Sequence, residues 1–242
     1  MSKTVKPYRV DGSKKEQVGQ MFDNIAPTYD FLNRFLSLGI DTLWRKRMVG
    51  KLRGAKNQYI LDVATGTADV ALELQKQLEP AKIVGVDISE EMLSVGRKKI
   101  AKRELEKTIT LQYGDSEQLP FPDDRFDAVT VAFGVRNYED LDRGLAEMRR
   151  VLKPGGKLVV LEFSRPKSFP LKQGFNFYFK NILPTIGRMQ SKDNRAYDYL
   201  YESVQKFPDG EAFISRMQEV GFREIDEERL TIGIASIYTG TK

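Results

Sequence analysis

Histidine and cysteine are both absent from this 242-residue chain. That double absence excludes disulfides, structural zinc held by Cys/His ligands, thiol nucleophiles, Ser-His-Asp triads and histidine acid–base catalysis together. No apolar run reaches the roughly 18 residues a membrane span needs. The positively charged start, "MSKTVKPYRV", leads into no apolar stretch, so no signal peptide is expected. Tryptophan occurs once, and repeats and low-complexity tracts are missing. Cysteine-free composition suits a cytoplasmic protein.

What is present is ordinary for a soluble globular chain: 40% hydrophobic and 30% charged residues. The net charge of +5 is unevenly spread. Residues 1–60 hold twelve Lys/Arg against five Asp/Glu, and residues 165–206 hold eight against three. The stretch between them and the C-terminal segment are acidic. Two basic segments can share an anionic partner surface, or can simply be solvated.

From position 58 onward the pattern alternates. Apolar runs at 59–64, 82–88, 108–114, 126–133 and 156–164 read as strands, the last following a "KPGG" turn. Amphipathic stretches at 68–78, 89–105, 141–152 and 210–222 read as helices, with Ser89 a suitable N-cap ahead of two glutamates. Strands separated by single helices argue for a parallel sheet with right-handed crossovers. Residues 223–242 read instead as two strands with a tight turn near Leu230–Gly233. The first 55 residues look helical, and 165–206, rich in aromatics, Pro and Gly, look inserted. The expected organisation is a helical region over 1–56 covering the site, then a domain over 57–242 with a substrate cap at 165–206.

"LDVATGTADV" (61–70) ends a strand and opens a helix. Gly66 lets backbone approach a ligand closely, and the helix start offers free N–H groups. A dinucleotide fingerprint would need three spaced glycines, and only Gly66 is present. An acid at the end of the second strand, Asp87, suits a ribose diol. An acid beside the first turn, Asp62, suits an ammonium and repels a pyrophosphate. Asp115 and Ser116, after the third strand, could bond an adenine amine and ring nitrogen. A ribose, an ammonium, an adenine and no phosphate describe S-adenosylmethionine.

"YDFLNRFLSLGIDTLWRK" (29–46), "DVATGTAD", "GDSEQLPFPDDRFD", "FGVRN" and "RVLKPGGKLVVLEFSRP" (150–166) together resemble the ubiquinone/menaquinone-biosynthesis C-methyltransferases, from about Val18 to the C-terminus. The resemblance implies a class I, Rossmann-like α/β fold: a mostly parallel seven-stranded sheet ending in an antiparallel hairpin. It implies cofactor contacts at Thr67, Asp87, Asp115 and Ser116; with Asp62, Gly66, Ile88 and Ala132 these make up the expected cofactor site, and no metal is expected. Its substrate would be a polyprenyl quinol methylated on a ring carbon, with the opening "VDGSKKEQVGQMFDNIAPTYDFLN" closer to menaquinone-route members and a naphthoquinol. The chain departs from the pattern at Asp41, where a histidine is usual, at Ala68 for a glycine, and at Ala132 for a serine.

If the first and fourth strands adjoin, Arg136 and Asn137 of "FGVRN" face the cofactor across the crevice. Arginine gains nothing from a sulfonium, so its target is negative: a quinol oxygen made phenolate-like. The competing use is a salt bridge to the neighbouring acids of "YED". Asp115, with Tyr29 behind it, leads as proton acceptor. The aromatic, lysine-flanked stretch 169–189 and the basic 44–56 suggest reversible docking on anionic lipid, peripheral at the inner membrane face. Nucleic-acid binding is not expected, and oligomeric state stays open, a homodimer included. A benzoquinol, a sterol, another small aromatic or an NAD-dependent dehydrogenase are the alternatives.

Overall fold

The computed structural model describes residues 5–8, 11–54, 58–178, 181 and 195–242. Seven strands form one sheet: β1 (Tyr59–Val63), β2 (Lys82–Asp87), β3 (Ile109–Tyr113), β4 (Phe126–Ala132), β5 (Leu152–Phe163), β6 (Arg223–Leu230) and β7 (Ala235–Thr241). Their order is β3-β2-β1-β4-β5-β7-β6. The first five run parallel, and β7 runs antiparallel to both β5 and β6. β1 therefore lies between β2 and β4, and the chain direction of assembly reverses there, which opens a crevice at the strands' carboxyl ends.

Alternation along each strand sends side chains to two faces. Leu61, Val63, Val86, Val129 and Val131 pack against α6 (Leu141–Val151) and α9 (Glu211–Glu219). Ile60, Ile83, Ala128 and Val159 face α4 (Asp69–Leu78) and α5 (Glu90–Ala101). Trp44, Met48 and Val49 of α3 (Ile40–Gly50) join that second face. Part of the N-terminal region thus builds the sheet's own core, each large side chain contributing about 1.5–3 kcal/mol on burial. A third cluster joins α1 (Lys14–Ile25), α2 (Tyr29–Leu36), α7 (Leu171–Phe177) and α8 (Arg195–Lys206) through Met21, Leu32, Phe175 and Tyr199.

Local signals explain the ends. Ser13 and Glu16 form a reciprocal capping box on α1, and Ser89 accepts from the Met92 amide (3.2 Å), as its position predicts. The helix expected over 89–105 stops at Ala101, with Glu104 in the left-handed region at φ +57°. "KPGG" is no separate turn. β5 begins before it, and the pairing slips from Phe126–Leu152 to Ala128–Lys157 around a bulge with Gly155 at φ +75°. The turn after β1 holds Ala64, Gly66 and Ala68 all at positive φ, and two of these carry a Cβ that opposes it. Of the basic stretch 44–56, Arg45 is buried, and Arg47 and Lys51 are ion-paired to Glu228; 55 and 56 lie outside the described residues. Of the aromatic stretch, Phe175 is buried and Phe169 and Phe177 are exposed, while 179, 180 and 182–189 lie outside the described residues.

Candidate active site

At the carboxyl ends of β1, β2 and β4, a narrow cavity is lined by Gly66, Asp87, Ile88, Asp115, Ser116 and Ala132. Six of the expected cofactor contacts therefore share one wall. Asp87 closes the turn after β1: one carboxylate oxygen accepts the Gly66 amide (2.8 Å) and the other the Ser89 amide (2.9 Å). Burial pushes its carboxyl up to about 6 against those hydrogen bonds. A Cβ built on Gly66 would meet nothing within 4 Å, so the turn borders open space.

Asp62 and Thr67 are not on that wall. Asp62 lies inside the turn with its two oxygens capped by the Thr65 hydroxyl (2.6 Å) and the Thr130 hydroxyl (2.7 Å). Burial raises it to about 6. Its position corrects the expectation of an acid facing a ligand ammonium: it braces the turn from beneath. The Thr67 hydroxyl donates to Asp30 of α2 (2.6 Å) and accepts from Lys99 of α5 (2.9 Å), tying the N-terminal segment to the turn.

A second cavity of about 710 Å³ opens beside the first. Phe22, Tyr29, Phe133 and Asn137 line both, so the two meet there. The larger one is walled mainly by apolar groups from α1–α3, α7, α8 and the loop before β7, among them Trp44, Phe133 and Phe163, whose rings lie 4.7–6.3 Å apart. Arg136 enters it with its side chain 8% exposed. Its Nη1 donates to Glu162 of β5 (2.9 Å) and to the Phe133 carbonyl, and its guanidinium carbon lies 5.5 Å from the Phe163 ring centroid. Glu162 is fully buried; desolvation pushes its carboxyl up, opposed by the Arg136 charge. The neighbouring acids do not hold Arg136, since Asp140 caps α6 and Glu139 accepts the Lys14 amide. Lys14 in turn donates to the carbonyls of Tyr138 (2.6 Å) and Arg136 (3.2 Å), clasping this turn from α1.

Among the described residues, three polar atoms at the larger cavity are buried without a partner: Arg136 Nε, the Asn137 Oδ1 and the Tyr199 hydroxyl. Orphans of this kind are uncommon in a folded interior and mark a place where a ligand supplies the missing bonds. Tyr29, held up in pKa by burial, sits at the junction. Asp115 does not reach the larger cavity; it is ion-paired to Lys15 (2.6 Å) on the narrow side.

The family described as ubiE/COQ5 methyltransferase matches residues 10–242. The chain belongs to that family. A demethylmenaquinone methyltransferase of Bacteroides fragilis is 52% identical over 98% of this chain and 97% of its own. A ubiquinone/menaquinone biosynthesis C-methyltransferase UbiE of Geobacter sulfurreducens is 50% identical, covering 97% and 91%. Among solved structures, a possible histamine N-methyltransferase of Thermotoga maritima superposes with a TM-score of 0.65 at 21% identity, covering 93% of this chain and 99% of that one. Family and fold are those of S-adenosylmethionine-dependent methyltransferases.

Sequence reasoning missed Glu162, Tyr199, Asp41 and Trp44 as parts of the site. A lone acid in "LVVLEF" was the available signal for Glu162, because a charge in a buried strand needs a partner. Tyr199 and Trp44 carry no such signal: an aromatic at helical spacing reads as core.

Proposed function

We propose that the protein transfers the methyl group of S-adenosylmethionine to a ring carbon of a polyprenylated naphthoquinol, converting demethylmenaquinol to menaquinol. The observation that carries this reading is the trio of unpartnered polar atoms, Arg136 Nε, Asn137 Oδ1 and the Tyr199 hydroxyl, in an otherwise apolar cavity. A flat aromatic ring with oxygens at its edge fits such a wall. The name of the Bacteroides fragilis relative, a demethylmenaquinone methyltransferase, supports the choice of ring.

The narrow cavity suits the donor. Asp87 accepts from a ribose diol, Asp115 and Ser116 border the adenine position, and the open face of Gly66 admits the chain past the turn. Bound there, S-adenosylmethionine supplies an electrophilic methyl group. The protein's residues do the rest. Phe133, Phe163 and Trp44 hold the ring, and exclude water from it. A phenolic hydroxyl ordinarily titrates near ~10, and the Arg136 guanidinium, fixed by Glu162 in a dry pocket, stabilises the anion that the carbon nucleophile needs. Asn137, on both walls, offers its free Oδ1 as an acceptor for a quinol hydroxyl. Holding carbon and methyl in line contributes further through proximity.

The N-terminal helices and the described parts of the segment 165–206, α7 and α8, act together as the cover of this site, a division that the third apolar cluster supports. The test is direct assay with reduced short-chain demethylmenaquinone and a matched benzoquinol. Methylated naphthoquinol is the expected product; methylation of the benzoquinol alone, or of neither, overturns the reading.

Where the larger cavity opens, Leu38 is 92% and Ile232 69% exposed, although both belong to its wall. Phe31 and Phe35 stack on each other nearby on α2, also exposed. Among the described residues no helix is long and apolar enough to cross a membrane. An apolar rim at the mouth suits shallow insertion into a bilayer from which a prenyl tail enters, with exposed Arg34 beside it for anionic headgroups. Flotation with liposomes containing anionic lipid should carry the protein upward, and Leu38→Asp/Ile232→Asp should abolish it. A wild type that stays at the bottom at both low and high salt sinks the docking idea.

A further inference from the structure

Ring methylation leaves a proton to be placed. The ring supplies the electron pair of the new carbon–carbon bond, and the pair of the broken sulfur–carbon bond stays on sulfur. The methylated carbon then carries both its old hydrogen and the new methyl. That C–H bond breaks, its electrons restore the aromatic ring, and one proton leaves per turnover. A chain without histidine needs another acceptor.

The larger cavity contains one. Tyr29, Asn33, Ser37 and Asp41 recur at four-residue spacing along α2 and into α3, and all four lie on its wall. Residues four apart share a helix face, which aligns Tyr29, Asn33 and the C-cap Ser37, and the turn at Gly39 brings Asp41 to the same wall. The Ser37 hydroxyl donates to Asp41 Oδ1 (2.7 Å). Asp41 is 4% exposed and is the only carboxylate on this wall among the described residues. Its other oxygen accepts from Arg45 (2.5 Å), whose same nitrogen lies 3.6 Å from Asp69 of α4. Asp115, by contrast, faces the other cavity and is engaged by Lys15.

We propose that Asp41 accepts the proton shed by the substrate ring, delivered through the Ser37 hydroxyl as the last step of the polar track along this wall: it passes its own proton to Asp41 as it takes the incoming one. The proposal rests on the quinol reading above. Arg45 holds Asp41 in place on the wall through its other oxygen. The other charged or titratable groups around this space are Tyr29 on α2, Tyr178 just after α7, Tyr199 on α8, Asp69 beyond Arg45, and Arg136 on the turn after β4 with Glu162 behind it. A plain helix-stabilising Asp41–Arg45 pair would need neither the Ser37 bond nor a place on the cavity wall.

The experiment compares wild type, Asp41→Asn, Asp41→Glu and Ser37→Ala on reduced demethylmenaquinone carrying hydrogen or deuterium at the methylated carbon. Asp41→Asn is expected to lower kcat by about 10²-fold, the lower range for a lost acid–base group. It should leave KM for S-adenosylmethionine unchanged and make the ring-deuterium isotope effect appear, because proton loss becomes limiting. Asp41→Glu should restore much of the rate. Ser37→Ala leaves the ion pair intact, so it reports on the track even if Asp41→Asn fails to fold; it too should expose the isotope effect. Full turnover in Asp41→Asn, or lost turnover in both variants with no isotope effect, overturns the proposal. A wild type inactive on the naphthoquinol would instead strike the underlying reading.

Discussion

Arg136→Ala is expected to lower turnover by about 10²- to 10³-fold, the scale seen when one oxyanion-stabilising donor is removed. Affinity for S-adenosylmethionine should stay near that of wild type. The separation follows from place: Arg136 lines the larger cavity and not the narrow one. A guanidinium beside a cationic donor gains nothing until an anion forms on the substrate, so its contribution belongs to the transition state. The substitution also orphans Glu162, a fully buried carboxylate. Breaking a buried pair from one side costs about 3–5 kcal/mol, so the melting temperature should fall as well. The double variant Arg136→Ala/Glu162→Gln separates the two effects. It removes the uncompensated charge and should recover stability without recovering turnover. Binding by calorimetry, turnover by product analysis and thermal melting of all three proteins make the check; retained turnover in Arg136→Ala removes Arg136 from the chemistry.

Asp87→Asn should weaken S-adenosylmethionine binding by roughly 10- to 100-fold, the range of a hydrogen bond to a charged group. The same carboxyl makes binding depend on pH. Burial lifts Asp87 to about 6 in the folded protein, from an ordinary 3.8. Protonation removes the acceptor a ribose diol needs, so affinity falls as pH drops through about 6. Stability of the free protein runs the other way. Asp62 is lifted to about 6 by the same cause. A carboxyl whose folded pKa is raised contributes stability that is complete below its unfolded value, near 4, and is lost as pH rises through about 6. At ~1.4 kcal/mol per unit, each of the two accounts for about 3 kcal/mol of that loss. Between pH 4 and 7 the free protein should therefore lose stability while its ligand affinity rises. Melting curves with and without ligand across this range would show the gap between them widening with pH. A gap that narrows would count against Asp87 as the ribose acceptor.

Much of this molecule was legible without coordinates. Alternating apolar runs and amphipathic stretches specify strands and helices by periodicity alone, and a parallel sheet with a closing hairpin follows from their order. Asp87, Asp115 and Ser116 could be placed because each ends or follows a strand, and strand ends converge at one edge of such a sheet. Asp62 and Thr67 showed the limit. Both lie in the right turn, yet which way each side chain faces depends on the positive φ values of Ala64, Gly66 and Ala68, on the Thr130 hydroxyl of β4 and on the Asp30 carboxylate of α2.

Tertiary structure decided what the site can do. Arg136 meets Glu162, 26 residues away, only because β4 and β5 are paired. Asp115 meets Lys15, 100 residues away, because α1 folds over the narrow cavity. Asp41, read from the sequence only as a departure from a family pattern, reaches the cavity wall through the turn of α2 into α3 around Gly39 at φ +77°. Periodicity and spacing are short-range properties that a chain states residue by residue. The partners of a buried charge come from distant segments and are selected by packing, because burial leaves an ion no other way to offset its lost hydration.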